Sequence, residues 1–434
     1  MPEKKIIILG AGLAGLSAAW HLKKRGLGGA VFEKENTVGG LCRSKQAGDF
    51  VFDYCGHLLH FRNNYTLKLA ARLLKGNLAQ HERNAWINNS GIFIRYPFQA
   101  NLGALPRQIA MECLLEFIYA AKLPRPVNIQ ENFLKWINTT FGKGIARHFM
   151  VPYNRKFWAT SLNRIGCPWS DKFIPQPSLS DIIDGFLAGS RNHFGYNANF
   201  WYPVKGGIDR LSRAFEKEVG GISKGCYVSS IDLKKKEITI KGRGKERFDT
   251  LVLTIPLPEL MKIANPLPGK ILKSLKKLRW NSIFNLNLGV EGSCQDRKHW
   301  TYFPQKETIF FRVGFFHNFS NNNAPGGRSS LYTEVSYSEN RPIDRKKIVK
   351  QVLADLYRSG TLTKKNRVSV LDVNDIKYGY PIYDRNYFRA TTAIKEFLSA
   401  SNIIACGRYG SWQYLSMEEA ILDGRRAAGE IKLW

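Results

Sequence analysis

Three glycines near the start of the chain have a spacing that could bind a dinucleotide. They belong to the segment GAGLAG at residues 10–15, which follows a β-branched run at residues 5–9 and opens a helical pattern. In that context Gly10 permits a tight turn, Gly12 lets a pyrophosphate approach the backbone, and Gly15 lets the helix pack closely on the strand. The segment therefore predicts a β-turn-α unit with phosphates at the helix N-terminus.

An acidic residue and an arginine extend this predicted site. Glu33 follows a second predicted strand at residues 30–32, at a distance from Gly15 that suits a hydrogen bond to a ribose hydroxyl. Residues 38–44, VGGLCRS, form a second glycine turn whose Arg43 could reach a diphosphate. A glycine-rich turn without a ligand is the alternative for residues 10–15, but strand, helix and acid together favour a dinucleotide.

The length, charge and composition of the chain indicate the class of protein to which these residues belong. The chain has 434 residues and a formal net charge of +30, which predict a soluble protein of more than one domain with an anionic partner. Charge alone does not choose among an anionic substrate, a nucleic acid and an anionic membrane surface. The apolar stretch at residues 109–121 is interrupted by Glu112 and Glu116 and is too short for a bilayer span.

The N-terminus and the cysteines indicate the compartment. Two lysines stand directly before the first strand and leave no room for a signal peptide, so we expect a cytoplasmic protein without an integral membrane anchor. Seven scattered cysteines without a Cys-x-x-Cys pair argue against a disulfide framework and against a zinc site, and no other metal site is predicted.

The hydrophobic pattern divides the chain into a helical part and a strand-rich part. Helices are predicted within residues 105–187, and a largely antiparallel sheet from residue 227 onward. The individual predictions are helices at 14–24, 129–141, 144–150, 179–187 and 417–430, strands at 227–233, 237–241, 250–255, 282–290, 308–316, 330–337 and 402–406, and an exposed loop at 318–327.

The two glycine turns and a late Gly407-Arg408 pair resemble the FAD motifs of the amine-oxidase-like flavoproteins. The resemblance implies FAD, with the adenine packed on the strand that contains Val228 and with Gly407 and Arg408 at the flavin. It also directs the N-terminus of the last helix at the electron-accepting end of the flavin ring. The residues expected to bind the cofactor are Gly10, Gly12, Leu13, Ala14, Gly15, Glu33, Lys34, Gly39, Gly40, Leu41, Arg43, His57, Val228, Gly407, Arg408 and Tyr414.

Within that superfamily the chain is similar to the UDP-galactopyranose mutases, and more to the eukaryotic than to the common bacterial type. Five segments carry the resemblance: DYCGH at 53–57, RYPFQAN at 95–101, PYNRKFWA at 152–159, WTYFP at 300–304 with Phe311-Arg312, and GRYGSWQY at 407–414.

The resemblance implies roles for individual residues. The implied substrate contacts are Tyr96 and Phe98 around the uracil, Gln99 at its edge, Asn154 and Trp158 along the nucleotide, and Tyr302, Tyr380, Tyr414, Arg312 and Lys172 at the diphosphate. His57 and Arg312 are the expected catalytic residues, His57 as a flavin contact. An arginine fork, hydroxyl donors and aromatic faces also suit a pyrimidine diphosphate on chemical grounds. Each aromatic residue taken alone reads more readily as core, and only the joint pattern favours a site.

The sequence departs from the family pattern in two places. The second phosphate-binding arginine of the family would fall near Lys172 and Phe173, and a lysine supplies charge without a bidentate fork. After Tyr414 the chain reads LSMEEA at residues 415–420, where the family has a polar stretch containing Asn and Asp.

The resemblance implies an α/β fold, in which an FAD-binding Rossmann-like domain carries a helical subdomain and a mostly antiparallel sheet subdomain. The expected boundaries are 1–84, 200–265 and 390–434 for the FAD-binding domain, 103–199 for the helical subdomain, and 85–102 and 266–389 for the sheet subdomain.

The expected function is a pyranose/furanose mutase acting on an NDP-sugar, with UDP-sugars expected first. In that family N5 of the reduced flavin is the nucleophile at the anomeric carbon, there is no net redox change, and NAD(P)H or another reductant reduces the cofactor. Cell-surface polysaccharide biosynthesis would be the context.

Two other classes stay open. One is an oxidative flavoprotein, such as an amine oxidase, a protoporphyrinogen oxidase or a desaturase. The other is a basic binding module at a nucleic acid or a membrane, for which only the net charge speaks. The basic runs are dispersed and favour no nucleic-acid groove, peripheral contact with an anionic membrane is compatible with the charge, and the oligomeric state is open.

Overall fold

A computed structural model describes residues 4–122, 132–187, 195, 198–292 and 297–432. Its strands, labelled in chain order, are β1 Ile6–Leu9, β2 Ala30–Phe32, β3 Ser44–Ala47, β4 Phe50–Asp53, β5 Ala79–Glu82, β6 Ala85–Asn89, β7 Ile92–Arg95, β8 Asn199–Tyr202, β9 Val228–Asp232, β10 Glu237–Ile240, β11 Gly244–Arg247, β12 Thr250–Leu253, β13 Ala264–Asn265, β14 Arg279–Glu291, β15 Trp300–Tyr302, β16 Arg312–Phe315, β17 Ser329–Tyr337, β18 Arg367–Ile382 and β19 Ile403–Ala405.

The helices surround these strands. In chain order they are α1 Leu13–Lys24, α2 Asn64–Leu74, α3 Arg107–Ala121, α4 Phe133–Ile145, α5 Val151–Trp158, α6 Ser170–Phe173, α7 Leu179–Leu187, α8 Asp209–Val219, α9 Leu260–Ile263, α10 Gly269–Leu275, α11 Ile348–Arg358, α12 Tyr387–Ala400, α13 Gly407–Gly410 and α14 Met417–Glu430. Among the described helices, none combines the length and the apolar character that a bilayer span requires.

A four-stranded parallel sheet in the order β19-β12-β1-β2 carries the first glycine turn. All four residues of β1 are buried, as expected for a parallel strand covered on both faces. Helix α1 packs against α14 so closely that a Cβ on Gly424 would lie 2.4 Å from the carbonyl oxygen of Ala14. The first and the last segments of the chain therefore meet at the glycine turn.

A seven-stranded sheet in the order β18-β14-β17-β16-β15-β6-β7 forms the other large layer. Its neighbouring strands run antiparallel except β15 and β6, which are parallel. One face buries Phe284, Leu286 and Leu288 of β14 in an apolar cluster with Val352 and Leu356 of α11. The predicted α/β class, with a mostly antiparallel second sheet, is confirmed.

One predicted strand and one predicted loop differ from the structure. The predicted strand at 308–316 is reduced to β16, because the amide of Ile309 donates to the carboxylate of Asp355 (2.7 Å) and leaves the sheet ladder. The predicted loop at 318–327 is exposed at Asn321, Asn322, Gly326 and Gly327 but buries Phe319 and Asn323. The side-chain amide of Asn323 donates to the carbonyl oxygen of Phe316 (3.0 Å).

The predicted helices at 129–141 and 144–150 have different boundaries in the structure. Residues 129–131 lie outside the described residues, and α4 begins at Phe133 because the side chain of Asn132 caps it, accepting from the amide of Lys135 (2.9 Å). Gly142 breaks the helical geometry with φ +76°. Residues 146–150 form a π-helical turn that leads into α5.

Candidate cofactor site and adjoining cleft

The two glycine turns, which are separate in sequence, face each other in the structure. Gly10, Gly39 and Gly40 have positive φ values of 101°, 108° and 59°, a region that favours glycine. The amide of Gly39 donates to the carbonyl oxygen of Ala11 (2.8 Å), and a Cβ on Gly40 would lie 3.3 Å from Cα of Gly12. The turns thus build one backbone cradle in front of α1, whose N-cap residue Gly12 makes no side-chain cap hydrogen bond.

Glu33 lies at the end of β2 beside this cradle. Its buried carboxylate accepts from the amides of Ala11 (2.7 Å) and Glu35 (3.0 Å). The amide of Cys226 donates to the carbonyl oxygen of Glu33 (2.8 Å), which brings the start of β9, and with it the buried Val228, next to the same edge. Lys34 instead points to solvent and pairs with Glu35 at 3.5 Å.

Arg43 has the chemistry of an anion-binding residue. Its Nε atom is buried and has no hydrogen-bond partner among the described residues, and its guanidinium lies 4.6 Å from the ring centroid of Tyr54. A buried donor without a partner costs free energy unless a ligand accepts from it. The cradle, Glu33 and this donor therefore fit the ribose and diphosphate of a dinucleotide.

A cleft of about 210 Å³, the volume open to the centres of water molecules, lies between the seven-stranded sheet, α5, α6 and the segment from α13 to α14. Segments that are far apart in sequence converge on it. The sequence-predicted site residues that line it are Leu41, His57, Tyr96, Asn154, Tyr302, Arg312, Tyr380, Arg408 and Tyr414.

Arg312 enters the cleft as half of an ion pair. Its Nε and Nη2 atoms donate to the two carboxylate oxygens of Glu334 at 2.5 and 2.8 Å. The two residues face each other across β16 and β17, and the Glu334 side chain is 1% exposed. Burial opposes the charge, but Glu334 raises the pKa of Arg312 well above its ordinary value. Arg312 is therefore charged and fixed, while the pair is neutral.

Glu334 is a cleft residue that sequence reasoning missed. It stands in the run SSLYTEVSY of β17, every residue of which is buried except Tyr337. A lone carboxylate within a buried strand requires a buried partner, and that was the available signal. Its partner on the neighbouring strand could not be read from spacing along the chain.

Arg408 forms the opposite cationic side of the cleft. Its Nε and Nη2 atoms donate to the carbonyl oxygen of Leu415 (2.9 and 2.5 Å), and its guanidinium lies over the rings of Tyr380 (5.1 Å) and Tyr414 (5.6 Å). Within the described part of the chain, no carboxylate accepts a hydrogen bond from Arg408. Ser416 caps α14 at the same wall, which places the N-terminus of that helix at the cleft. Its orientation toward the flavin ring stays a prediction.

His57 lies on the wall next to both arginines. Its Nδ1 atom is buried and has no hydrogen-bond partner among the described residues. Burial, followed by the charge of Arg408, lowers the pKa of His57 to about 4, so the imidazole is neutral near pH 7. The preceding Gly56 is required, because a Cβ there would lie 2.0 Å from the hydroxyl of Tyr332.

The remaining wall of the cleft is aromatic and apolar. Phe173 stacks on Tyr414 with ring centroids 4.3 Å apart, and Tyr153 packs against Tyr302 at 5.1 Å. The other apolar side chains of this wall are Phe149, Met150, Phe157, Trp169 and Ile174. They come from the π-turn, α5 and the neighbourhood of α6.

Four sequence-predicted substrate residues do not line the cleft. Phe98 is fully buried and stacks on Phe149 (5.1 Å), and Trp158 is fully buried against Trp169 (4.9 Å). The Gln99 side chain is buried and donates to the carbonyl oxygen of Pro175 (2.6 Å).

Lys172 is the fourth of these residues. Its ammonium forms an ion pair with Glu419, the residue that completes the capping box of α14, and its side chain is 44% exposed. To bind a phosphate it would have to leave that pair. Its assignment to the substrate stays a prediction.

Residues 13–432 match the family of flavin containing amine oxidoreductases, and the chain belongs to that family. FAD is accordingly its cofactor. The backbone cradle and the unpartnered Arg43 donor agree with this on geometric grounds.

The particular relatives point in two directions. A reduced UDP-galactopyranose mutase of known structure is 26% identical with a TM-score of 0.92, and the match covers 98% of this chain and 94% of that one. The resemblance predicted from five short segments is thus confirmed over the whole fold. A putative protoporphyrinogen oxidase from Exiguobacterium sp. is 16% identical with a TM-score of 0.76, covering 99% and 98%, and shows the fold alone.

Among curated sequences, 4,4'-diaponeurosporene oxygenase of Staphylococcus haemolyticus is 26% identical over 55% of this chain. The match spans about half of that protein's length, 52%. A 1-hydroxycarotenoid 3,4-desaturase of Flavobacterium sp. is 48% identical over 12% of this chain and 10% of its own length. Both of these proteins are named for redox reactions.

Proposed function

We propose that this protein is a flavin-dependent mutase that interconverts the pyranose and furanose forms of an NDP-sugar, most simply a UDP-sugar. The observation that carries the proposal is that two arginines and three tyrosines converge on one cleft beside His57. These residues are Arg312, Arg408, Tyr302, Tyr380 and Tyr414. Fixed guanidinium and phenol groups suit a diphosphate leaving group, and the full-length similarity to a UDP-galactopyranose mutase supports this choice.

The ion pair and the tyrosines define how the leaving group would be held. Glu334 restrains Arg312 in one orientation, so the arginine does not have to be ordered when substrate binds. Burial raises the pKa of Tyr380, so its hydroxyl is protonated near neutral pH and can donate to a phosphate oxygen. With Tyr302 and Tyr414 it would supply hydrogen bonds without adding charge.

The aromatic wall suits a reaction from which water has to be excluded. Held by the glycine cradle, Glu33 and Arg43, reduced FAD would supply the electron pair that the anomeric carbon requires. The chain needs no side-chain nucleophile and has to align the sugar, stabilise the departing diphosphate and exclude water. Phe149, Phe157 and Phe173 provide the apolar surface for that exclusion.

The enzyme would lie in the cytoplasm and would supply furanose units for cell-surface polysaccharide. The reductant would be a reduced nicotinamide or a donor of similar potential.

The test is to incubate the FAD-loaded protein with UDP-, GDP- and dTDP-sugars, with and without dithionite under anaerobic conditions, and to separate the products by chromatography. We expect isomerisation only after reduction, continuing for many turnovers without further reductant. Turnover by oxidised protein, with oxygen consumed in proportion to product, would overturn the proposal.

A second candidate, an oxidoreductase acting on an apolar substrate, is favoured by one specific observation. Glu334 neutralises Arg312, so among the described residues Arg408 is the cleft guanidinium without a carboxylate partner, while one wall is aromatic and apolar. A polyene or a porphyrinogen would match that wall. Oxygen or quinone reduction coupled to oxidation of such a substrate, without any effect of NDP-sugars on the flavin absorbance, would select this candidate.

A further inference from the structure

Strand β14 carries three buried asparagines, Asn281, Asn285 and Asn287, which we call the asparagine row. All three are fully buried. Alternate side chains of a strand point to opposite faces, so Asn285 and Asn287 share one face while Phe284 and Leu286 occupy the other, against α11. Asn281 lies beyond a shift in the register between β14 and β18. Burying an amide is unfavourable unless its hydrogen bonds are made. An apolar strand would have sufficed for packing, so the row requires a further explanation.

Two members of the row bind the backbone of the turn that precedes His57. Asn285 accepts from the amide of Cys55 (3.4 Å), and Asn287 donates to the carbonyl oxygen of Asp53 (3.1 Å). Glu334 accepts from the amide of Gly56 at 3.3 Å. Three sheet side chains therefore hold three of the four residues at 53–56.

This turn needs external support because its backbone is unusual. Cys55 has φ +66°, a left-handed conformation that non-glycine residues adopt at a cost. The side chain of Asn285 is itself fixed, donating to Asn287 and to the carbonyl oxygen of Thr333 (both 3.1 Å). Asn374 of β18 donates to the same Asn285 oxygen at 2.9 Å. The support thus reaches across three strands of the sheet.

The third member of the row holds the other side of the cleft. Asn281 accepts from the amide of Tyr380 (2.7 Å) and donates to the carbonyl oxygen of Phe157 (2.8 Å). Both of those residues line the cleft, and their ring centroids are 4.8 Å apart. One strand therefore fixes the backbone on both sides of the cleft.

We propose that the asparagine row is a set of positioning residues, which holds the His57 turn and the Tyr380 segment at fixed separation around the flavin and the substrate. The row would act through backbone hydrogen bonds, and none of the three asparagines lines the cleft. This inference rests on the proposed function where it places His57 beside the flavin. The holding of the turn itself can be measured without that assumption.

The decisive variant is Asn285→Ala, with Ser282→Ala as its matched control. Ser282 is buried in the same strand and donates to the carbonyl oxygen of Lys377 (2.7 Å), away from the His57 turn. Both variants lose one buried polar side chain. Asn285→Ser, which is too short to reach Cys55, replaces the alanine variant if that one does not fold.

Three readouts are compared in the full-length, FAD-loaded protein: hydrogen exchange of a peptide covering residues 53–57, the visible circular dichroism of the flavin, and the melting temperature. We expect exchange at least tenfold faster and an altered flavin signal in the Asn285 variant alone, although both variants lower the melting temperature. Parent-like exchange at 53–57 in a folded Asn285 variant would overturn the inference. So would equal acceleration in Ser282→Ala.

A separate variant distinguishes failure of the proposed function. His57→Ala should alter the flavin signal without accelerating exchange at residues 53–56. If it leaves the signal unchanged, the placement of His57 beside the flavin is wrong. Faster exchange in Asn285→Ala would still support the positioning role.

Discussion

The cradle of glycine turns and the cleft beside it are built from different parts of the chain's chemistry, backbone in one and side chains in the other. The cradle consists of backbone from residues 10–15 and 38–44, and its main requirement is that side chains be absent. The cleft consists of side chains from segments as far apart as Leu41 and Met417. Its chemistry depends on pairs such as Arg312 with Glu334, which are adjacent only because two strands are.

This difference predicts how each region responds to substitution. A side chain introduced at a glycine of the cradle should exclude the cofactor directly, because the backbone of the site cannot move around it. Truncating a side chain of the cleft leaves its hydrogen-bond partner unsatisfied, so both ligand affinity and protein stability should fall. Substitutions in the two regions should therefore be distinguishable by measuring FAD content and melting temperature together.

The largest effect is expected from Gly12→Val, which should abolish FAD retention in a protein that still folds. A Cβ at this position would have Gly40 Cα as its nearest neighbour, at 3.9 Å, so the protein itself has room for it. We expect the pyrophosphate of FAD to occupy that space. Flavin absorbance after gel filtration, with far-ultraviolet circular dichroism for the fold, measures the result.

Gly15→Ala is the contrasting control. Its Cβ would lie 2.0 Å from the carbonyl oxygen of Gly10, so it should disturb the fold as well as the cofactor. If Gly12→Val retained FAD, or if the two variants unfolded to the same extent, the cradle would not be a backbone site for the pyrophosphate.

Arg312→Ala should have the second largest effect, and a composite one. It should raise the Kd for an NDP-sugar strongly, since a charge-assisted hydrogen bond contributes about 1.5 to 3 kcal/mol. It should also cost about 3 to 5 kcal/mol of stability, because the buried Glu334 carboxylate loses its partner. Calorimetric titration and thermal melts measure the two parts.

The double variant Arg312→Met with Glu334→Gln separates them. We expect it to recover stability without recovering affinity, since the unpaired charge is gone but no guanidinium returns. FAD content should stay near normal in both proteins. Parent-like affinity in either variant would place the diphosphate elsewhere.

The sequence revealed these two regions unequally, and the comparison explains why. Gly10, Gly12 and Glu33 could be assigned one by one, because a turn between a strand and a helix is a local structure with local requirements. Arg312 and Tyr380 were assigned only through resemblance. The pairing of β16 with β17, which brings Glu334 to Arg312, is a long-range property that no spacing along the chain encodes.

Burial explains the predictions that the structure leaves outside the cleft. Phe98 and Trp158 have the residue types of a base-binding site, but aromatic side chains serve a core equally well, and here both are fully buried. Lys172 was assigned through the family resemblance, near the position of the second phosphate-binding arginine, and its pairing with Glu419 depends on the approach of α6 to α14. A residue type predicted a site reliably where it has few structural uses, as glycine in a phosphate-binding turn. It was ambiguous for aromatic residues, which serve the core as well as a binding site.

An intermediate effect is expected from pH through His57. Its pKa of about 4 lies below the ordinary value of 6.5, so the unfolded chain binds the proton more tightly. Its contribution to stability is complete above pH 6.5 and is lost as the pH falls toward 4, by up to about 3 kcal/mol. His57→Gln, measured by urea unfolding between pH 4 and 7, should show a shallower loss than the parent protein. An identical pH dependence would contradict a buried neutral imidazole.

A smaller effect is expected from Tyr302→Phe, which removes one proposed donor and keeps the ring. An uncharged phenol that donates to a charged phosphate contributes about 1.5 kcal/mol, the lower end of the range for hydrogen bonds to charged groups, so the Kd for an NDP-sugar should rise by roughly tenfold. Tyr153→Phe is the matched control, because its ring packs against that of Tyr302 at 5.1 Å but no phosphate role is proposed for it. Equal effects of the two variants would assign Tyr302 to packing.

The smallest effect is expected from Lys172→Ala. Its ammonium is committed to Glu419 and its side chain is 44% exposed, so removing it should change the Kd for an NDP-sugar by less than about twofold, within the range of an exposed ion pair. Phe173→Arg gives the opposite test. Phe173 lines the cleft and stacks on Tyr414, so a guanidinium there would add a cation to a cleft in which Glu334 already neutralises Arg312. We expect tighter NDP-sugar binding in Phe173→Arg if the cleft holds a diphosphate, and no change if it holds an apolar substrate. A large loss of affinity in Lys172→Ala would instead mean that the lysine leaves Glu419 when substrate binds.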